Sequence, residues 1–328
     1  MRFLGKTGVK VSRVGLGAMS FGGDADEPTA WALYRAAREA GVNLIDTADV
    51  YNEGRSEEFL GRFMRGERED LVIASKAYFP TSKDPNGRGS SRFHLVRAVE
   101  GSLRRLQTDR IDLYYLHRFD DATDLDETLR AIDDLVRAGK ILYPAVSNFA
   151  AWQIAHALGR QVAEGWAKLV CVQPMYNLVK RTAEIELLPM AHSLGIGVIP
   201  YSPTGGGLLT GKYGVGRAPE TGRLLDTKMY TVRYANPGFY EIAEQFTAIA
   251  NELGHHPTTL AVAWVSSHPA VTSVLIGGRD LAQLAPALAA KEIELDAETR
   301  ARISALSPEP PPATDRNEET SAFNYGNR

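Results

Sequence analysis

Cysteine is almost missing from this 328-residue chain, in which Cys171 stands alone. One thiol can build neither an intrachain disulfide framework nor a multi-cysteine metal site, and such sparse use fits a reducing cytoplasm. Long apolar runs are missing as well. None reaches the ~18 residues of a membrane span, so no membrane partner is expected. The opening Met1-Arg2-Phe3-Leu4-Gly5-Lys6 carries neither the apolar segment nor the small-residue cleavage site of a secretory signal, which supports the cytoplasmic expectation. Nor does one sign of charge prevail. Against 40 Asp and Glu the 37 Lys and Arg leave a formal net charge of -3, too little positive field to hold a polyanion, and no nucleic-acid partner is expected. His94, His156, His192, His255, His256 and His268 show no ligand spacing with carboxylates or with Cys171, so no metal site is expected.

What is present is an alternation. Short runs rich in Val, Ile, Leu and Tyr at 14–16, 43–45, 71–75, 111–116, 142–146, 169–172, 197–200 and 272–276 read as strands. Between them, apolar residues return every three or four positions over 30–40, 93–106, 125–138, 152–164 and 184–193, and Gly41, Gly139, Gly165 and Gly195 supply helix stops. Eight such units predict an α/β fold, a (β/α)8 TIM barrel spanning 1–328 as one domain. The open dinucleotide-binding alternative wants Gly-x-Gly-x-x-Gly in its first turn, and Gly15-Leu16-Gly17-Ala18-Met19-Ser20 ends in Ser instead. Three segments depart from the repeat. Residues 1–13 read as an N-terminal β-hairpin about Lys6-Thr7-Gly8-Val9. Residues 203–237, after the seventh strand, form a long aperiodic loop of the kind that usually serves a function. The tail 307–328 begins with the extended Pro308-Glu309-Pro310-Pro311-Pro312, and is expected either to cover the active face with Phe323 and Tyr325 or to stay unstructured.

In a parallel barrel the working face lies at the C-terminal strand ends. Those ends give Asp46, with Tyr51 five residues on, then Lys76, His117, Ser147-Asn148, Gln173, Tyr201-Ser202 and Gly277-Gly278-Arg279. Asp, Tyr, Lys and His on adjacent units suit proton transfer. A phenol that titrates near about 10 is a poor acid at neutral pH, and an adjacent ammonium stabilises its phenolate. Lys76 can do this for Tyr51, Asp46 can hold Lys76 charged, and His117 can hydrogen-bond the same reacting oxygen. A structural ion pair between Asp46 and Lys76, with Tyr51 and His117 as packing, explains each residue singly. It explains less readily why four titratable groups meet at one rim.

Residues 43–51 (Asn43-Leu44-Ile45-Asp46-Thr47-Ala48-Asp49-Val50-Tyr51), Ile73-Ala74-Ser75-Lys76, Asp112-Leu113-Tyr114-Tyr115-Leu116-His117 and Val146-Ser147-Asn148-Phe149 resemble the aldo-keto reductases. The likeness runs on through Glu186-Leu187-Leu188-Pro189 and Gly197-Val198-Ile199-Pro200-Tyr201-Ser202-Pro203, and covers about residues 1–295. Within that family, the 201–213 stretch and Gly277-Gly278-Arg279 look most like the bacterial and potassium-channel β-subunit branches. The resemblance implies an NADPH-dependent oxidoreductase that passes hydride to the carbonyl of an aldehyde, ketone or keto sugar. Tyr51 would be the general acid, assisted by Lys76, Asp46 and His117. Ser147, Asn148 and Gln173 would hold the nicotinamide carboxamide, with Tyr201 stacked on the ring, and Gly17, Ala18 and Met19 would add contacts. Asn148 also reads as a plain helix cap.

Gly206-Gly207-Leu208-Leu209-Thr210-Gly211-Lys212-Tyr213 nearly matches a triphosphate-binding loop, but Tyr213 stands where the magnesium-binding hydroxyl belongs. A glycine-rich backbone with a lysine still suits a pyrophosphate. In the resembling family Ser202, Pro203, Thr204, Gly205, Gly207, Leu208, Lys212 and Arg223 pass over it, with Leu more usual at Thr204. Arg279 would hold the 2′-phosphate and Gln283 would meet the adenosine, with Gly277 a further cofactor contact. Pro286 and Ala287 replace the usual Glu and Asn, so NADH is the second cofactor that the pattern admits. The substrate walls are expected from Phe21, Tyr51, Phe79, His117 and Phe119, beside Met19. The runner-up reading is a nicotinamide-binding, redox-sensing regulatory subunit that acts through a protein partner. His117 weighs against it, since the channel subunits resembled here carry Asn at that place. Oligomeric state has no signature in the sequence.

Overall fold

The hairpin and the barrel both form. The computed structural model describes residues 1–314 together with 316, 318, 321 and 322. Strands β1 (Arg2–Phe3) and β2 (Lys10–Val11) pair antiparallel. Eight parallel strands follow: β3 (Val14–Gly17), β4 (Leu44–Asp46), β5 (Val72–Ala77), β6 (Ile111–Leu116), β7 (Ile141–Ser147), β8 (Cys171–Gln173), β9 (Gly197–Val198) and β10 (Val274–Ile276). Their order is β10-β3-β4-β5-β6-β7-β8-β9. The two outer strands meet, because Thr272 N–H donates to Val198 O at 2.8 Å and Leu275 N–H to Pro200 O at 2.9 Å. The sheet thereby curls into a (β/α)8 barrel.

Alternation along each strand divides the core in two. On β6, Leu113 and Tyr115 point inward to meet Leu44, Ala74, Ala145, Cys171, Ile199 and Leu275, while Tyr114 and Leu116 face the helices. The hairpin plugs the N-terminal mouth with Leu4 and Val11, both fully buried in the inner cluster. Close approach there requires Gly5, whose φ is 54° and on which a Cβ would lie 2.6 Å from Gly195 O.

The outer layer is α1 (Glu27–Glu39), α2 (Arg55–Phe63), α3 (Arg92–Leu106), α4 (Leu125–Arg137), α5 (Ala151–Glu164), α6 (Leu187–Leu194), α7 (Arg223–Asp226), α8 (Lys228–Arg233), α9 (Gly238–Glu252), α10 (Pro257–Ser266), α11 (Leu281–Ala289) and α12 (Ala297–Ser304). Capping explains several starts: the Asp26 side chain accepts from Thr29 N–H, that of Ser91 from His94 N–H and that of Asp124 from Asp126 and Glu127 N–H. The expected stops hold, with Gly41, Gly139, Gly165 and Gly195 all at positive φ.

The 203–237 segment differs from the aperiodic loop expected. It holds a 3-10 stretch, Gly205–Thr210, and the short helices α7 and α8, pinned by buried Leu208, Leu224, Tyr230 and Tyr234. Helices of four and six residues are too short to repeat a hydrophobic period. Residues 307–314 of the tail carry no helix or strand, and the aromatic residues expected at 323 and 325 lie outside the described residues.

Candidate active site

The C-terminal strand ends open on a cleft of about 630 Å³. At one end lie the four titratable residues read from the strand ends. Asp46 closes β4, Lys76 lies in β5 and His117 follows β6. Tyr51 is held by a turn in which Asn52 and Glu53 take φ of 51° and 61° before Gly54 at 88°. Left-handed backbone is uncommon for residues other than glycine and needs local support. Asn52 supplies it, since its side-chain amide donates to Met19 O at 2.9 Å and to Phe21 O at 2.8 Å.

Lys76 is wholly buried and donates to Asp46 Oδ1 and, at 2.7 Å, to Thr47 O. Its ammonium lies 5.1 Å from the centre of the Tyr51 ring. Gln173 donates to the other Asp46 oxygen at 2.8 Å. His117 stands edge-on to Tyr51, ring centres 5.9 Å apart, and to Phe79 at 4.9 Å.

Burial pushes the Asp46 carboxyl up, against the pull of Lys76 and Gln173. For Lys76 burial acts downward, yet the facing Asp46 and Tyr51 outweigh it and hold the ammonium above its ordinary value. Tyr51 feels two opposed influences. Lys76 draws its pKa down, but burial is stronger, and the phenol stays above its ordinary value of 10. His117 is pushed down to about 3 by burial and then by Lys76, so its imidazole is neutral at ordinary pH.

A polar network continues along the wall. Ser147 Oγ donates to Gln173 O at 2.9 Å, Asn148 Nδ2 to His117 O and Ser147 Oγ at 3.0 Å each, and Tyr201 OH to Asn148 Oδ1 at 2.8 Å. Asn148 has φ of 57° and is no helix cap; Ala150 precedes α5, with its N–H bonded to Gln153 Oε1. Farther on, Ser202, Pro203, Thr204 and Gly207 lead to Lys212, Arg223, Gly277, Arg279 and Gln283, all lining the cleft, as Gly17 and Met19 do at its base. Arg279 Nε lies 3.1 Å from Asp24 Oδ2, and Arg223 NH2 3.9 Å from the same oxygen.

Not every expected residue reaches the cleft. Phe21 is fully buried against Phe63, ring centres 6.2 Å apart, beneath α2. Phe119 turns outward onto Phe149 and Trp152, at 5.2 and 6.1 Å. Apolar packing claims both rings, leaving Phe79 as the phenylalanine on the wall. Ala18, Gly205 and Leu208 stand behind it: Ala18 N–H is bonded to Asp46 O, Gly205 packs toward Tyr234 and Leu208 joins the outer core. Conversely, Met229, Tyr230 and Arg233 of α8 line the cleft, and Asp24 bridges its two arginines. The α8 residues had no sequence signal, because α8 lies in the aperiodic segment, and Asp24 sits in the loop between β3 and α1.

Behind Tyr51 lies a second polar group. Wholly buried Glu57 accepts from Ser75 Oγ at 2.5 Å and from Arg105 Nε at 2.7 Å. Asp49 beside it is buried and forms no ion pair among the described residues; burial, then the charge of Glu57, push its carboxyl up to about 8.

A family model described as "Aldo/keto reductase family" matches residues 13–308. An oxidoreductase of Bacillus subtilis, YrpG, is 39% identical over 322 residues, covering 94% of this chain and 96% of its own length. A protein of Oryza sativa subsp. japonica named "Probable voltage-gated potassium channel subunit beta" is 37% identical over 84% of this chain and 85% of its own length. A Schizosaccharomyces pombe protein named for aryl-alcohol dehydrogenase is 33% identical over 90% of this chain and 92% of its own.

Proposed function

Because the chain belongs to the aldo/keto reductase family, a family of oxidoreductases, we propose that it reduces the carbonyl of an aldehyde, ketone or keto sugar with NADPH. One observation carries the reading: Asp46, Tyr51, Lys76 and His117 converge at one end of a cleft whose other end presents Lys212, Arg223 and Arg279. The residues present fit the cofactor. Ser147, Asn148 and Gln173 would hold an amide through paired donors and acceptors, and Tyr201 would present a ring face to it. The lysine and the two arginines would hold phosphates, Arg279 the 2′-phosphate just ahead of α11. NADH, lacking that phosphate, would be the weaker cofactor. The compartment proposed is the cytoplasm.

When bound, NADPH supplies the hydride that the carbonyl carbon accepts. Tyr51 gives its phenolic proton to the carbonyl oxygen, completing the alcohol. Lys76 stabilises the phenolate left behind, and Asp46 keeps that ammonium charged and aimed. His117, neutral, hydrogen-bonds the carbonyl oxygen and turns it toward Tyr51. Steady-state NADPH oxidation with a panel of carbonyls tests the assignment. Tyr51→Phe should slow the chemical step by about 10²-fold or more, the range of general-acid catalysis, whereas rates equal to wild type would remove the tyrosine from the mechanism.

Similarity to the rice channel subunit favours a second reading, slow redox chemistry reported to a protein partner. Many turnovers per molecule of purified protein would set it aside.

A further inference from the structure

Besides buried Lys76, four cations serve the cleft, and they are not alike. Lys212, Arg223 and Arg279 stand at the end assigned above to phosphates, the two arginines sharing Asp24. The fourth, Arg233, like Lys212 makes no hydrogen bond or ion pair through its side chain among the described residues, but it lies apart from the Asp24 pair. It ends α8, half-buried, with its guanidinium 5.2 Å from the centre of the Tyr230 ring. Arg223 approaches the same ring at 5.8 Å, but the neighbour of Arg233, Tyr234, meets Asn177 at 3.2 Å, and Asn177 donates to Ser202 O at 2.9 Å, which sets Arg233 toward Tyr201 and the catalytic end. Tyr201 lines the same cleft, with its hydroxyl bonded to Asn148 beside His117, and the charge of Arg233 acts on it.

Among the described residues, no protein anion answers Arg233. The one carboxylate on the cleft wall, among the described residues, is Asp46, and Lys76 holds it. A guanidinium kept half out of water gains most from a planar or tetrahedral oxyanion that accepts two of its N–H groups. Its cation–π contact with Tyr230 holds the guanidinium in place beforehand, which lowers the ordering cost of such a contact. Met19, Phe79 and Met229 supply apolar wall in the same cleft, enough for a short carbon skeleton.

We propose that Arg233 is the receptor for an anionic oxygen group, a carboxylate or a phosphate, carried by the carbonyl substrate. The inference rests on the carbonyl reduction proposed above and narrows its substrate class to acidic aldehydes and ketones. The chemistry stays balanced: hydride reaches the carbonyl carbon, the Tyr51 proton reaches the carbonyl oxygen, NADPH leaves as NADP+, and the anionic group is unchanged.

The test compares kcat/KM for 4-carboxybenzaldehyde with 4-methylbenzaldehyde, and for glycolaldehyde phosphate with glycolaldehyde. Wild type is measured beside Arg233→Met, which keeps the stem without the charge, and Arg233→Lys. The wild type should prefer the anion in at least one pair, which also tells carboxylate from phosphate. Arg233→Met should collapse that preference about tenfold or more, mainly through KM, as expected for a lost hydrogen bond between charged groups, and Lys should restore part of it. NADPH binding, followed by tryptophan fluorescence, should survive in both variants. No preference for either anion in wild type, an unchanged ratio in Arg233→Met, or a loss of NADPH binding in its place would overturn the proposal while leaving carbonyl reduction standing. Failure to reduce any aldehyde would remove carbonyl reduction itself, and this inference with it.

Discussion

Burial governs the titration of the groups around Tyr51, and it does so unevenly. Lys76 is matched by Asp46, and Glu57 by Arg105, but Asp49 has no ion-pair partner among the described residues. Its folded-state value, pushed up to about 8, stands above the ordinary 3.8. The folded protein therefore favours the protonated carboxyl, so the stability due to this group is complete below its ordinary value and is lost as pH rises through about 8. Asp49→Asn should flatten that decline. As the pH is raised from about 5 to about 9, the wild type should lose on the order of a few kcal/mol more stability toward urea than the variant does, and parallel stability curves would count against it. Residue identity at strand ends was legible in the sequence because a parallel barrel turns those ends to one face, and Asp46, Lys76 and His117 are found there. Aromatic side chains were less so. Composition gives Phe21 and Phe119 no direction, and the core took one ring while Trp152 took the other.

Among elements, α2 shows how a short helix can be both hidden in the sequence and consequential. Its charged opening Arg55-Ser56-Glu57-Glu58 obscures the apolar stripe of Phe59, Leu60 and Phe63, so the eight-strand pattern was readable while this helix was not. It grows directly from the left-handed turn after Tyr51, and it lies against the end of α3 at Gly61. A Cβ there would sit 2.4 Å from Arg105 O and 2.8 Å from Leu106 C, both backbone. Gly61→Ala should therefore push α2 away from α3 and destabilise the fold by about 1–3 kcal/mol, the usual range for overpacking. Because Arg105 also holds Glu57, and α2 carries the turn of Tyr51, the same variant should lower kcat. Thermal unfolding and steady-state rates check the two halves separately; an unshifted midpoint would mean that the helices separate at no cost. In contrast β6 matches the residues expected from its apolar run, Ile111–Leu116, because a buried parallel strand reads as an unbroken apolar stretch.

For the molecule as a whole, the near-neutral charge means that phosphates must be met locally, and the local arrangement already contains an anion. Asp24, from the segment between β3 and α1, reaches both Arg279 beside β10 and Arg223 of α7. The segment after β9 is thus fastened across the cleft by a carboxylate in contact with the arginine proposed to meet the 2′-phosphate. Asp24→Asn should tighten NADPH binding a few-fold, the range for exposed pairs, and NADH binding less; equal effects in fluorescence titrations would separate Asp24 from the 2′-phosphate. If the carboxylate is displaced on binding, the cofactor enters by exchange, one anion leaving as another arrives. The protein would then carry an internal competitor whose strength sets how much of the phosphate's attraction becomes affinity and how much is spent on releasing the strap.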